Sequence, residues 1–279
     1  AGNVAGETTE LIIDPTNSNV IYLATSSGVY KSINAGSSWN NIQGGNIRDI
    51  EIKPGSPNVI YAVSSSEFFK STDSGANWNT VTSGLPSSSG RLAIATTAAN
   101  ASYVYVLSAT TGNGFQGLYR SINSGTSFTA MNTTTDIFES TQAWYDMAIA
   151  ASQTNANEIV TGVLNVWRSS DGGSSFSQLN NWSSPSSSAY THADIHYLKY
   201  YGGNLYCGSD GGIYQSTNSG NDFTDLTDGL QIGQFYRIGG SQNDVNTISG
   251  GLQDNGGYVL KSGVWKNYYG ADGMEAGVD

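Results

Sequence analysis

GVYKSINAGSSW, residues Gly28 to Trp39, decides the fold because the chain writes it five times. The other copies are EFFKSTDSGANW (Glu67 to Trp78), GLYRSINSGTSF (Gly117 to Phe128), NVWRSSDGGSSF (Asn165 to Phe176) and GIYQSTNSGNDF (Gly212 to Phe223). Each reads apolar, aromatic, Lys/Arg/Gln, Ser, any residue, Asp or Asn, any residue, Gly, two residues, Trp or Phe. The run ending in Tyr30, Phe69, Tyr119, Trp167 or Tyr214 has the aromatic and β-branched content of a strand, and Trp39, Trp78, Phe128, Phe176 or Phe223 opens the next one. Between them, Asn34, Asp73, Asn123, Asp171 and Asn218 are expected to accept hydrogen bonds from backbone N–H groups two residues on. Gly36, Gly75, Gly125, Gly173 and Gly220 supply a positive φ. Ser32, Ser71, Ser121, Ser169 and Ser216 are positioned to tie the start of the turn. The acidic residues of the repeat are thus structural, not catalytic.

The repeat serines recur at intervals of roughly 40–50 residues, the length of a four-stranded propeller blade. Upstream of each hairpin lies a pair of short apolar runs around a turn, as in ELIIDPTNSNVIYLAT and DIEIKPGSPNVIYAVS. A sixth pair, YRIGGSQNDVNTISGGLQDNGG, precedes a degenerate hairpin at Val259 to Trp265. Glu275 to Asp279 resembles Glu10 to Asp14 and is expected to start a seventh blade. The expected architecture is an all-β propeller of four-stranded antiparallel blades, six visible plus the start of a seventh. It is read as one domain over residues 1–279, truncated at its C-terminus.

Composition agrees with this. Only 12% of residues are charged, against a usual ~25%, and Gly is 35 of 279, so long helices have little to be built from. A hydrophobic fraction of 38%, with 17 Tyr, 6 Trp and 8 Phe, is ample for a core. The net charge of -11 argues against nucleic acid, which needs clustered Lys and Arg, and against an anionic membrane surface. The single cysteine, Cys207, excludes an intrachain disulfide and reads as a small buried apolar residue. No run approaches the ~18 apolar residues of a membrane span, and the first residues lack the basic and apolar regions of a signal peptide.

The hairpin resembles the Asp-box, or bacterial neuraminidase repeat, with Asn for Asp in three copies. Propellers with this repeat include sialidases, the xyloglucan hydrolases of glycoside hydrolase family 74, sortilin-type receptors and a photosystem assembly factor. A sialidase would need an arginine triad, and Arg48, Arg91, Arg120, Arg168 and Arg237 are scattered. The last third, with THADIHYL, GSDGGIYQS, GQFYRIGGSQND, GLQDNGG and GADGMEAGVD, is similar to large secreted or surface propellers of Bacteroidota labelled sortilin-like or glycosyl-hydrolase-like. That resemblance implies a secreted or cell-surface location, further domains, and a sorting domain for type IX secretion outside this sequence.

Three constellations carry candidate chemistry. On a strand, His192, Asp194 and His196 would share one face, as a hydrogen-bonded cluster, a ligand patch or a weak metal site. Aligning the first strands of the blades places Glu10, Asp49, Arg91, Asp146, Asp194, Phe235 and Glu275 at one position. If that position faces the axis, its carboxylates form an acidic ring whose repulsion raises pKa values or recruits a cation such as calcium. No other cofactor is expected. For glycoside hydrolysis, which needs two opposed carboxyls, the candidates are Asp210, Asp254 and Asp272, each followed by glycine within two residues; SDGG distantly resembles the acid-bearing Asp-Ile-Gly-Gly of family 74. The expected function is a non-catalytic extracellular module that binds or displays a glycan or protein ligand. A xyloglucanase-type hydrolase and a structural assembly component are the alternatives.

Overall fold

The computed structural model describes residues 4–230 and 232–278. The chain divides into two compact units, Ala1–Asp225 and Leu226–Asp279. The first holds five four-stranded antiparallel sheets, each a meander in chain order, as short turns between antiparallel strands require. Their first strands, Thr8–Ile13, Asp49–Ile52, Arg91–Thr96, Ala148–Ala151 and Ile195–Tyr201, pack successively against one another.

Four apolar cores lie between the five sheets, one for each successive pair. Tyr22, Ala24 and Val29 of blade one meet Ile50, Ile60 and Phe69 of blade two, and the pattern repeats up to Val160 and Val166 of blade four against Leu198, Leu205 and Cys207 of blade five. Sheets covered on both faces need strands that are apolar throughout, and Ile60–Val63, Val104–Ala109 and Ile159–Gly162 are buried at every residue.

The repeat turn is built the same way in all five copies. In blade two, Ser71 Oγ donates to Asp73 Oδ1 (2.9 Å) and accepts from Gly75 N (2.8 Å), while Asn77 N donates to Asp73 Oδ1 (2.8 Å). Equivalent triads join Ser32, Asn34, Gly36 and Ser38; Ser121, Asn123, Gly125 and Ser127; Ser169, Asp171, Gly173 and Ser175; and Ser216, Asn218, Gly220 and Asp222. The expected reach of the Asp/Asn side chain is corrected here: it accepts from the amide four residues on, not two. The reason is that two consecutive left-handed residues, such as Ser74 (φ 59) and Gly75 (φ 84), fold the loop back over the side chain.

The glycine of this turn is where one blade touches the previous one. A Cβ on Gly173 would fall 2.2 Å from Leu118 Cδ2 of blade three, and one on Gly125 would fall 3.0 Å from Tyr61 and 3.2 Å from Phe68 of blade two. At Gly36 of the first blade the nearest atom is its own Trp39 at 3.6 Å, so the aromatic there lies over the turn as expected. The repeat cation also crosses between blades. Lys31 Nζ donates to Ser74 O (2.9 Å), Lys70 Nζ to Thr126 Oγ1 (3.2 Å) and Arg168 Nη1 to Ser219 O (2.8 Å), each in the turn of the following blade. Gln215, which replaces the cation in blade five, donates to Tyr206 of its own sheet.

The second unit holds one meander sheet, Phe235–Gly240, Ile248–Leu252, Gly256–Lys261 and Val264–Tyr269. Its last two strands join through Ser262 and Gly263, both at positive φ (53 and 77), the two-residue turn that matches strand twist. The strand expected at Glu275 does not form among the described residues, which run without strand pairing from Gly270 to Val278; Asp279 lies outside them. A first strand is held by pairing with its neighbour, and among the described residues Gly270 to Val278 pair with no strand. Among the described residues no helix is long and apolar enough to cross a membrane.

The turn geometry makes a graded prediction. Gly36→Ala incurs only the left-handed backbone penalty, about 1–2 kcal/mol. Gly173→Ala adds overpacking against Leu118, a further cost of about 1–3 kcal/mol. Urea unfolding of the two variants will show Gly173→Ala as clearly the less stable, and equal midpoints would refute the interblade role of the glycine.

Candidate functional site

Within the first unit three of the five aligned positions share one cavity. Glu10, Asp49 and Arg91 line a cavity of about 90 Å³ together with Arg48, Glu51, Tyr197 and Lys199. The expected acidic ring is therefore corrected to a mixed lining, since Arg48, Arg91 and Lys199 stand among the carboxylates. Burial of like charges without compensation is prohibitive, which is the physical reason for the mixing. Lys199 Nζ of blade five donates to Glu51 Oε1 of blade two at 2.8 Å. These two residues also line a second cavity of about 370 Å³ with Thr96, Gln153, Tyr200 and Tyr201, so the ion pair stands where the two spaces meet. Asp49 is pinned by the amides of Ile50 (2.7 Å) and Ile94 (2.8 Å), the latter in the next blade.

A second cluster gathers where the segment 133–147 reaches the chain before the fifth blade. Ile137, Phe138, Ala143 and Met147 are buried in the core between blades three and four and anchor this long connection. It presents Trp144 (65% exposed) and Tyr145 (44% exposed) to solvent. Tyr145 Oη donates to Asp210 Oδ2 at 2.9 Å, its ring meets His196 edge-on at 4.7 Å, and His196 Nε2 lies 2.6 Å from Asp210 Oδ1. Gln142 Nε2 donates to Asp146 Oδ2 (3.1 Å) and to Asp194 Oδ1. Carboxylate oxygens of Asp194 and Asp210 come within 4.8 Å of each other.

The sequence-derived candidates thus divide. Asp146, Asp194, His196 and Asp210 are brought together, while Glu10 and Asp49 belong to the axial cavity. His192, Asp194 and His196 do not share a strand face, because Asp194 sits at φ 63 and the strand begins only at Ile195. His192 instead packs beside Gly211, where a Cβ would fall 2.3 Å from its own, and its Nδ1 lies 3.2 Å from Ala193 O. The expected two-imidazole metal site is corrected accordingly. Asp210 occupies the two-residue turn between Asn204–Ser209 and Gly212–Ser216. In the second unit, Asp254 N donates to Asp272 Oδ1 (3.0 Å), and exposed Glu275 pairs with Arg237 (3.1 Å). Sequence reading missed Gln142, Trp144, Tyr145, Glu51 and Lys199. The available signal for the first three was the length of the connection from Thr133 to Met147, which exceeds what a blade-to-blade turn needs.

Burial sets the electrostatics. It pushes the Glu10 carboxyl up to about 7, with Asp49 adding repulsion, and pushes Asp49 and Asp146 each up to about 6. Desolvation also raises Asp194, and Tyr145 rises to about 12 through burial and its bond to Asp210. Lys199 is held protonated above its ordinary value by Glu51. A carboxyl whose folded pKa is raised binds its proton more tightly folded than unfolded, so its stabilisation is present below the unfolded value and disappears as pH rises through the folded one. Thermal melts should therefore fall by several degrees between pH 4.5 and 7, the ordinary and raised values for Glu10, and Glu10→Gln should flatten that slope. An unchanged slope in Glu10→Gln would show that Glu10 is not the group responsible.

No family model matches the sequence, and no curated protein matches it. Solved structures do. The chain is similar to the GH74 xyloglucanase from Xanthomonas campestris (TM-score 0.63, 12% identity, covering 96% of this chain and 46% of that one) and to the GH74 enzyme of Niastella koreensis (0.61, 17%, 97% and 46%). It is also similar to PorZ, a surface component of the type-IX secretion system of Porphyromonas gingivalis (0.55, 14%, 94% and 33%). The chain spans less than half the length of each of these proteins. Six four-stranded antiparallel meanders and these likenesses together assign the chain the β-propeller fold.

Proposed function

We propose that the chain is a non-catalytic, extracellular propeller module, one domain over residues 1–279, that binds carbohydrate through the surface formed by Trp144, Tyr145, His196, Asp194 and Asp210. The observation that carries this reading is the pairing of two exposed aromatic rings, 5.5 Å apart, with carboxylates at their edge. Sugar rings stack on aromatic faces and donate hydroxyl hydrogens to carboxylates, and this surface offers both. The extracellular placement draws support from the likeness to PorZ, a bacterial surface component of a secretion system.

A hydrolase is the second reading, favoured by one observation: the carboxylates of Asp194 and Asp210 are close neighbours, with oxygens no more than 4.8 Å apart, and paired carboxyls are what glycoside hydrolysis uses. Against it, Asp210 already receives Tyr145 and lies against His196, and Asp194 receives Gln142, so each is engaged as an acceptor.

Titration calorimetry with xyloglucan and other β-glucan oligosaccharides is expected to give saturable binding without release of reducing ends, and Trp144→Ala is expected to weaken it at least tenfold while leaving the melting temperature unchanged. Release of reducing ends abolished by Asp210→Asn would establish the hydrolase instead. Absence of binding to any glycan tested would remove the carbohydrate reading.

A further inference from the structure

Arg48 and Arg91 enter the axial cavity from neighbouring blades, and neither forms an ion pair. Arg48 stands immediately before the first strand of blade two, its amide fixed by Val63 O at 2.7 Å, and Arg91 opens the first strand of blade three. Both line the cavity of about 90 Å³. The three ion pairs among the described residues include neither of them. Arg48 Nε is buried without a partner, and the Arg48 guanidinium makes no hydrogen bond among the described residues. Arg91 engages one nitrogen, Nη1, with Ala143 O at 3.0 Å. A guanidinium carries five N–H donors, and leaving them without acceptors in an interior is costly. The two charges also act on each other. Burial, and then the charge of Arg48, lower the Arg91 guanidinium below its ordinary value, and Asp49 and Asp146 counter this only in part.

The acids of the same cavity are engaged with other groups or neutral. Asp49 accepts from the amides of Ile50 and Ile94, and Glu51 from Lys199 and Thr96. Glu10, pushed up to about 7 by burial, holds its proton below that pH. His196, also on the lining, lies against Asp210. Two guanidiniums are left facing one space. Each planar fork presents paired donors to two oxygens, and two forks bring two positive charges, which matches a doubly charged oxyanion. The space suffices: one water needs about 10–15 Å³, so this cavity takes several atoms of that size, and a tetrahedral oxyanion has five. We infer that Arg48 and Arg91 bind a small, doubly charged oxyanion of the sulfate type in the axial cavity of the first unit.

Sodium sulfate, titrated calorimetrically into the 279-residue chain at pH 6 with ionic strength held constant by sodium chloride, tests this. The expected result is one saturable site, with the melting temperature raised by sulfate and not by chloride at equal ionic strength. Arg48→Gln removes no bond to the protein, so it should keep the wild-type far-ultraviolet circular dichroism and weaken sulfate at least about tenfold, through the loss of charge-assisted hydrogen bonds. Arg91→Gln should weaken sulfate to a similar extent. Absence of saturable sulfate binding by the wild-type chain overturns the site whatever the variants do. Undiminished affinity in the folded Arg48→Gln chain also overturns it, because the anion would then be held elsewhere.

Discussion

Everything in the first unit hangs on a serine hydroxyl that closes a seven-residue loop from inside. Ser71 Oγ takes the Gly75 amide and gives its own proton to Asp73, which in turn takes Asn77 N. Loops of this size normally leave several amides to solvent. Here one hydroxyl and one carboxyl or amide side chain satisfy them internally, and the loop becomes as rigid as the strands it joins. That rigidity lets a bare glycine be presented to the neighbouring sheet at van der Waals distance. The apolar cores between blades depend on that close approach.

Asp and Asn exchange freely in the turn because only one side-chain oxygen is needed to accept the backbone amide. The second group differs in consequence, not in fold: Asp73 and Asp171 accept from Asn77 and Ser175 through Oδ2, whereas Asn34 and Asn123 donate to Ser38 and Ser127. With several donors converging on it, the carboxyl of Asp73 or Asp171 is held down at about 2. These carboxylates are ionised at any working pH and consumed by their own loop, which is the physical content of calling them structural.

The fold was legible in the sequence because its determinants are local. Ser, Asx, Gly and the closing aromatic sit within one short window and repeat, so a linear reading captures them. The axial positions were legible in part: aligning the first strands of the blades grouped Glu10, Asp49 and Arg91, which line one cavity. What a linear reading could not supply was partnership over long separations. Lys199 finds Glu51 across the interior, and Tyr145 finds Asp210 from another blade. The His192 to His196 stretch misled for a local reason, since an aspartate in left-handed conformation breaks the alternation that a strand reading assumes.

The cation of each repeat has a consequence for how such a chain assembles. Lys31, Lys70 and Arg168 each reach forward to the turn of the next blade and never back. The array therefore has a direction. A blade leaving the ribosome finds its docking charge already waiting on the blade made before it, while the newest blade extends a charge toward a turn not yet synthesised. Chain growth and structural order run the same way, and where blade five carries Gln215 in place of a cation, that forward signal ends.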